Sequence, residues 1–437
     1  MYIKFWGTRG SIPKAGASTV RYGGNTSCVE LRSTGGTLIV LDCGSGAHGL
    51  GQSIMRTYPD NCSGHMLITH SHWDHIQGLP FFAPLYGPDN EWRIYGPGGM
   101  GASIREVLAG QMEYTYFPVS LDQFFANVSY HNVVEGSFAI DDVRVTARFL
   151  NHPALTVGYR LESNGAVLVY STDHEPHARE LAFGKPSPMR GEDEDHRRFL
   201  SGADLLIHDA QYTADEYPER IGWGHSTAEF VVDVAMAANV KQLALYHHDP
   251  MRDDDALDQV VESCRNRVAD ANGSVEVFAA SEGLVIDLKG SAVSDIKSSH
   301  ANGIVPFVPS VSNESVLIAV RDEAARQILY DAAVATGLTV HSADSANESL
   351  AVLRRERPSL LLLGDDPPNT DLLELCRAIR ALPDISPETP LIVVSDDAAL
   401  DRTAGTAAGI TDWFVKPFSI VYARTRLRVW LLRQDFR

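Results

Sequence analysis

The stretch THSHWDHIQG, residues 69–78, sets three imidazoles and a carboxylate, His70, His72, Asp74 and His75, directly after the apolar run Met66, Leu67 and Ile68. A buried strand running into a tight turn is the expected local structure. In an extended segment residues two apart point the same way, so His70 and His72 can grip one cation while the turn swings Asp74 and His75 toward a second. A solvated loop has no reason to follow a buried strand with this alternation, and a two-metal site is the expectation it raises.

Working outward, the chain supplies further donors, each after an apolar run. Residues 37–41 read as a strand that ends in DCGSG at 42–46, and an Asp where a buried strand opens into a glycine turn can orient an imidazole from behind a metal. A block of strands over 127–149 delivers His152 within RFLNHPALTVGYRLE, and the strand 166–170 delivers Asp173, whose two oxygens can each take a metal. The strand 203–207 ends in HDAQ (208–211). GHST (224–227) opens a helix with Ser226 or Thr227 as its cap and Phe230, Val231, Val234 and Ala238 on its apolar face. The strand 240–246 ends in His247 and His248, either of which can serve as the last donor, with His247 preferred. A further helix over 255–271 and a strand pair at 275–278 and 283–287 close this region. The charged segment 184–199 reads as a mobile surface loop, of the kind that can act as a lid.

In that order, Asp42, the HxHxDH run from His70 to His75, His152, Asp173 and His247 resemble the metal-ligand series of the metallo-β-lactamase superfamily. The resemblance covers residues 1–289 and implies an α+β four-layer αββα sandwich. It also implies that His70, His72 and His152 hold a first divalent metal, that Asp74, His75 and His247 hold a second, and that Asp173 bridges the two. With only nitrogen and oxygen donors zinc leads, and manganese or iron fits the same ligand types. Within the superfamily the chain is similar to ribonuclease Z and its small phosphodiesterase relatives. The features that carry this are the YGPGG turn at 95–99, HDAQ where that group has His-Glu-Ala-Thr, and GHST before the last strand. The resemblance implies phosphodiester cleavage with Asp74 as base and His225, oriented by Asp209, as proton donor to the leaving oxygen. Asp209 is one methylene shorter than the Glu it replaces, so its reach to His225 is a point of departure.

A second departure bears on substrate. Ribonuclease Z clamps transfer RNA with an inserted arm, whereas here a hairpin of about thirteen residues separates the neighbourhood of His152 from the next strand. A small anionic substrate is therefore expected, and nucleic acid is not expected as a large one. The formal charge of -19 points the same way, because non-specific nucleic-acid binding needs a basic surface. Arg9 and Arg21 are candidates for holding the substrate anion, and residues 6–10, 21–25, 73 and 212–223 are candidates for shaping the pocket. Rival functions on the same metal core are thioesterase or lactonase chemistry at a carbonyl and, in another class, a non-catalytic binding protein.

At 437 residues, with 44% hydrophobic and 21% charged residues, the chain is too long for one ordinary core of roughly 150 residues. No apolar run reaches the roughly 18 to 20 residues that span a bilayer. The start, MYIKFWGTRGSIP, lacks a signal peptide's basic and apolar regions, so a cytoplasmic location without membrane partners is expected. Five scattered cysteines without CxxC spacing argue against disulfides and cysteine-bound zinc. Residues 290–314 have the composition of a linker. From 315 to 437 strands and helices alternate as in an α/β doubly wound parallel sheet, and the segment resembles a response-regulator receiver domain, with Ser395 and Lys416-Pro417 at its switch positions. Its acidic pair and phosphate-accepting Asp are replaced in register by Val320-Arg321 and Gly364. Asp322, Asp365 and Asp366 are offset by one or two residues. A pseudo-receiver that docks on a second copy, giving a homodimer, or on the catalytic domain is expected.

Overall fold

The structure, a computed structural model, describes residues 1–59, 61–98, 102–185, 187–289, 303–305, 314–364, 372–383, 385–396 and 402–435. The chain divides into two compact units, Met1–Pro188 with Asp195–Val308, and Met189–Glu194 with Pro309–Arg437.

The first unit is built on two sheets. In spatial order, one runs Val285–Asp287, Tyr2–Gly7, Cys28–Arg32, Leu38–Leu41, Ser63–Leu67, Glu91–Gly96, Asn127–Val133 and Ile304–Val305. The other runs Glu276–Ala279, Gln242–Tyr246, Leu205–Asp209, Ala166–Ser171, Val157–Ser163, Val143–Phe149 and Gly136–Ile140. Leu38–Leu41 and Leu205–Asp209 are buried at every position, as strands covered on both faces must be. Tyrosine hydroxyls stitch the sheets together: Tyr159 donates to the Ile68 carbonyl and Tyr246 to the Gly7 carbonyl, both at 2.7 Å. The helix Gly46–Thr57 packs on the outer face of the first sheet, and Ala228–Ala237 and Asp254–Asp270 pack on that of the second. This is the expected αββα layering of the metallo-β-lactamase fold.

Local detail departs from expectation in four places. Asp74 and His75 sit on a single helical turn, Trp73–Ile76, rather than in a tight turn. The charged segment forms a helix, Glu192–Leu200, whose His196, Phe199 and Leu200 are buried, because residues three and four apart share one face of a helix even where most of its residues are charged. The two closing strands do not pair with each other: Glu276–Ala279 pairs with Gln242–Tyr246, and Val285–Asp287 crosses to pair with Tyr2–Gly7 in the other sheet. Within the expected linker, Ile304 and Val305 pair with Val133 and Asn132 as an edge strand, while residues 290–302 and 306–313 lie outside the described residues. The hairpin after His152 is short, with Asn164 and Gly165 both at positive φ (48° and 73°), the turn that matches strand twist. All five cysteines are free and buried.

The second unit is a five-stranded parallel sheet in the order Thr339–Ser342, Ser315–Ala319, Leu360–Gly364, Leu391–Ser395, Asp412–Val415. That is the 2-1-3-4-5 order of doubly wound receiver-like folds. Its Gly364 closes the central strand, and Asp365 and Asp366 lie outside the described residues. Among the described residues no helix is long and apolar enough to cross a membrane.

Candidate metal centre

The polar strand ends of the first unit converge on one crevice. Asp42 follows Leu38–Leu41, Asp173 follows Ala166–Ser171 and His247 follows Gln242–Tyr246, and all three are buried. Each also has positive φ (57°, 55° and 59°), as does Ser11 at 62°. Left-handed backbone in residues other than glycine is strained and persists where the surroundings over-determine it, and here it turns side chains sharply off the strand ends into the site.

Two donor sets share Asp173. In the first, His72 Nδ1 and His152 Nε2 face each other at 3.0 Å, while Asp173 Oδ2 stands 3.5 Å from His70 Nε2 and 3.7 Å from His152 Nε2. In the second, Asp74 Oδ2 lies 3.3 Å from His75 Nε2 and 3.0 Å from His247 Nε2. Asp173 Oδ1 lies 3.2 Å and 3.3 Å from the same two nitrogens, which are 3.2 Å from each other. Ligands about 2 Å from a tetrahedral ion stand roughly 3.3 to 3.6 Å apart, so both sets have the spacing of ligands around a centre. His70 Nε2 is buried without a hydrogen-bond partner. The ring nitrogens facing away from the crevice are occupied as well. His75 Nδ1 donates to Asp42 Oδ2 (2.8 Å), His152 Nδ1 to the Gly224 carbonyl (2.9 Å) and His247 Nδ1 to Gln211 Oε1 (3.0 Å), tautomers that follow from these acceptors. With those tautomers the second set turns two imidazole lone pairs and two carboxylate oxygens toward one point, an arrangement suited to a cation. The donor chemistry fits two divalent metals.

Burial alone would lower His75, yet the carboxylates of Asp173, Asp74 and Asp42 outweigh it and hold the pKa well above its usual value, so a metal there would displace a proton from this ring. Burial, reinforced by neighbouring imidazoles, pushes His70 well below its usual pKa, and burial does the same for His152, which keeps both rings neutral as metal ligands must be. Burial alone would raise Asp74 and Asp173, yet the histidines beside them hold both well below the carboxylate range. His225 is disfavoured as a cation by burial, but Asp209, their hydrogen bond and Asp173 more than offset this and raise it to about 9.

The seven expected metal ligands lie together in this crevice, with His225 and Asp209 beside them. His247 faces the donors, while the His248 ring points to the Ala280 carbonyl (2.8 Å) instead. Asp209, despite its shorter side chain, reaches His225 Nδ1 at 3.0 Å and also accepts the Ser226 N–H at 3.1 Å. The His225 ring stacks on His247 at 5.0 Å and meets His152 edge-on at 5.2 Å. Arg9 and Arg21 are corrections to the expected anion-binding role. Arg9 is buried and donates to the carbonyls of Gly23 (2.8 Å), Asp249 (3.2 Å) and Arg252 (2.7 Å), and Arg21 pairs with Asp255 and Asp258 at 2.5 Å. Both are spent on the frame that carries the loop after His247.

Several contributors escaped the sequence. Asp42 is gripped by the Thr69 N–H (2.7 Å), the Thr69 hydroxyl (2.9 Å) and the Tyr170 hydroxyl (2.9 Å), long-range partners that no motif announces. Buried Glu175 accepts from the Tyr217 hydroxyl (2.6 Å) and the N–H groups of Gly222 (2.9 Å) and Gly224 (2.8 Å), bracing the segment before His225. Gln211 was visible only as a departure within HDAQ.

Residues 37–248 match the beta-lactamase superfamily domain. The chain is 28% identical over 284 residues to ribonuclease Z of Natronomonas pharaonis, an alignment that covers 56% of this chain and 86% of the relative. Its fold is similar to that of human tRNase Z, short form (21% identity, 66% of this chain and 100% of that one, TM-score 0.45). A response regulator from Chloroflexus aurantiacus is similar over 27% of this chain and 97% of its own length (24% identity, TM-score 0.25).

Proposed function

We propose that the first unit is a metal-dependent hydrolase of the beta-lactamase superfamily and that the protein is a dinuclear phosphodiesterase acting on a small phosphodiester or cyclic nucleotide. We assign residues 1–289 to catalysis and 315–437 to a pseudo-receiver that docks or dimerises. Zinc is the metal proposed for both positions. The observation that carries the reading is the His225–Asp209 pair, hydrogen-bonded at 3.0 Å and stacked against the ring of His247. An imidazole raised to about 9 is protonated at neutral pH and suits a proton donor to an alkoxide leaving group, which a phosphodiester has and a thioester lacks.

In this scheme His70, His72 and His152 would hold the first metal, Asp74, His75 and His247 would hold the second, and Asp173 would serve both. Bound there, the metals would polarise the phosphoryl oxygen and lower the pKa of an attacking water. Asp74, kept ionised by His75 and His247, takes the proton of the attacking water. His225, held by Asp209, gives a proton to the leaving oxygen. The short Asn164-Gly165 hairpin supports a small substrate. Two exposed indoles, Trp73 between His72 and Asp74 in the chain (73% exposed) and Trp223 two residues before His225 (56% exposed, with the Arg220 guanidinium 4.9 Å from its ring), offer apolar surface for it to lie on.

The test is turnover by the metal-loaded full chain of bis(p-nitrophenyl) phosphate and of cyclic nucleotides, beside a thioester and a lactone. The expected result is phosphodiester turnover that disappears in Asp74→Ala. Turnover confined to the thioester or lactone contradicts the proposal.

A further inference from the structure

We propose that Gln211 is a positioning residue for the second metal: it fixes His247 in the only tautomer that can ligate and ties the loop bearing Ser11 across Asp74. The inference rests on the two-metal reading above. His247 Nε2 faces Asp74 Oδ2, His75 Nε2 and Asp173 Oδ1 at 3.0, 3.2 and 3.3 Å, so this nitrogen must present its lone pair to a metal, and the ring proton must sit on Nδ1. The partner within hydrogen-bond reach of Nδ1 is Gln211 Oε1 at 3.0 Å, since the Asp209 carboxylate lies 4.0 Å away.

Gln211 is itself held on both sides. Its backbone N–H donates to Asp209 Oδ1 at 3.0 Å, and its side-chain Nε2 donates to the Ser11 hydroxyl at 3.3 Å. Its residue is only 3% exposed, so no water competes easily for the amide. Ser11, at a strained φ of 62°, donates its backbone N–H to Asp74 Oδ2 at 2.7 Å. A chain of contacts therefore runs Asp74, Ser11, Gln211, His247 and closes around one metal position. Gly10 completes the fit, because a Cβ there would lie 2.4 Å from His247 Nδ1. At the first position the comparable support for His152 is a main-chain carbonyl, that of Gly224. A single side-chain substitution can thus loosen the second metal while leaving the first.

The measurement is zinc per full-length chain by mass spectrometry after dialysis against a graded chelator, followed by the visible spectrum of the cobalt-loaded protein. The wild type should hold two equivalents. In Gln211→Leu the second equivalent should leave at about 10–100-fold lower chelator strength, with the first unchanged, a shift of the size expected when the partner of a ligating histidine is removed. Gln211→Glu keeps an acceptor for Nδ1–H, and its second oxygen can accept from the Ser11 hydroxyl in place of the lost amide donor, so it should restore the wild-type profile, an outcome that loss of packing alone would not give. Ser11→Ala, which removes the hydroxyl and leaves the N–H, should shift the second equivalent by less than Gln211→Leu. Two equivalents lost in parallel with the wild type in Gln211→Leu would overturn the inference while leaving the two-metal reading standing, as would Gln211→Glu behaving like Gln211→Leu. Fewer than two equivalents in the wild type would overturn both.

Discussion

In the first unit the ends of the parallel strands carry Asp42, Asp173, Asp209 and His247, all buried and turned into one crevice. In the second unit the ends of two neighbouring strands, Ser315–Ala319 and Leu360–Gly364, lead into Val320-Arg321 and end in Gly364. Both units present the crevice outside the carboxyl ends of a sheet where ligands bind in such folds, and among the described residues the first fills it with a convergent set of buried donors that the second does not show. Among the second unit's described residues Lys416 Nζ lies 3.1 Å from Asp322 and 3.0 Å from Asp396, two carboxylates near the expected acidic positions. Nor is an acceptor easily restored, since a Cβ on Gly364 would stand 3.2 Å from the Val320 Cα, tighter than most such contacts. Donor chemistry held in place by strained backbone on one side, and a sheet that folds without it on the other, separates what a fold supplies from what a site requires.

The sharpest way to break this contrast is Asp173→Asn, which keeps the shape and removes the charge shared by both donor sets. It should lower kcat on a phosphodiester by about a thousandfold or more, roughly 4 kcal/mol of transition-state stabilisation, together with loss of bound metal. A residual activity near wild type would show that Asp173 does not join the two sets. Next comes a matched pair of glycines. Gly224 (φ 87°) would place a Cβ 2.2 Å from Pro153 Cδ and 2.3 Å from His152 Nδ1, whereas Gly337 (φ 89°) has nothing within 4 Å. Gly224→Ala should cost about 1–3 kcal/mol by overpacking and lower metal content, while Gly337→Ala should cost about 1 kcal/mol of backbone strain and leave metal unchanged, read by thermal melts and metal analysis. The smallest expected effect is in the second unit. Acetyl phosphate with magnesium should leave it unphosphorylated, and Lys416→Ala should change stability by no more than about 1 kcal/mol, as for other ion pairs with an exposed partner. A stoichiometric aspartyl-phosphate would erase the contrast.

Much of the first unit was legible because each donor follows an apolar strand, so that position along the chain stands in for position in space. The seven expected ligands fall together for that reason, and the strand ends at Asp42, Asp173 and His247 needed no long-range knowledge to find. What the sequence hid is what depends on contacts between distant segments. The strand Val285–Asp287 crosses to the other sheet because Tyr2–Gly7 offers an open edge, which local pattern cannot reveal. Arg9 looked like an anion binder because a lone arginine in a glycine loop shows no sign of the three carbonyls, up to 243 residues away, that consume it. The helix Glu192–Leu200 was masked by its charge, its few inward residues being too sparse to mark a period over so short a segment.

The most direct test of a two-metal centre is the metal content of the zinc-loaded full chain, measured in parallel for the wild type and for Asp74→Ala. The expected result is two equivalents in the wild type and one in Asp74→Ala, which keeps His70, His72, His152 and Asp173 but loses a donor of the second set. One equivalent or none in the wild type, or two in Asp74→Ala, would contradict the assignment.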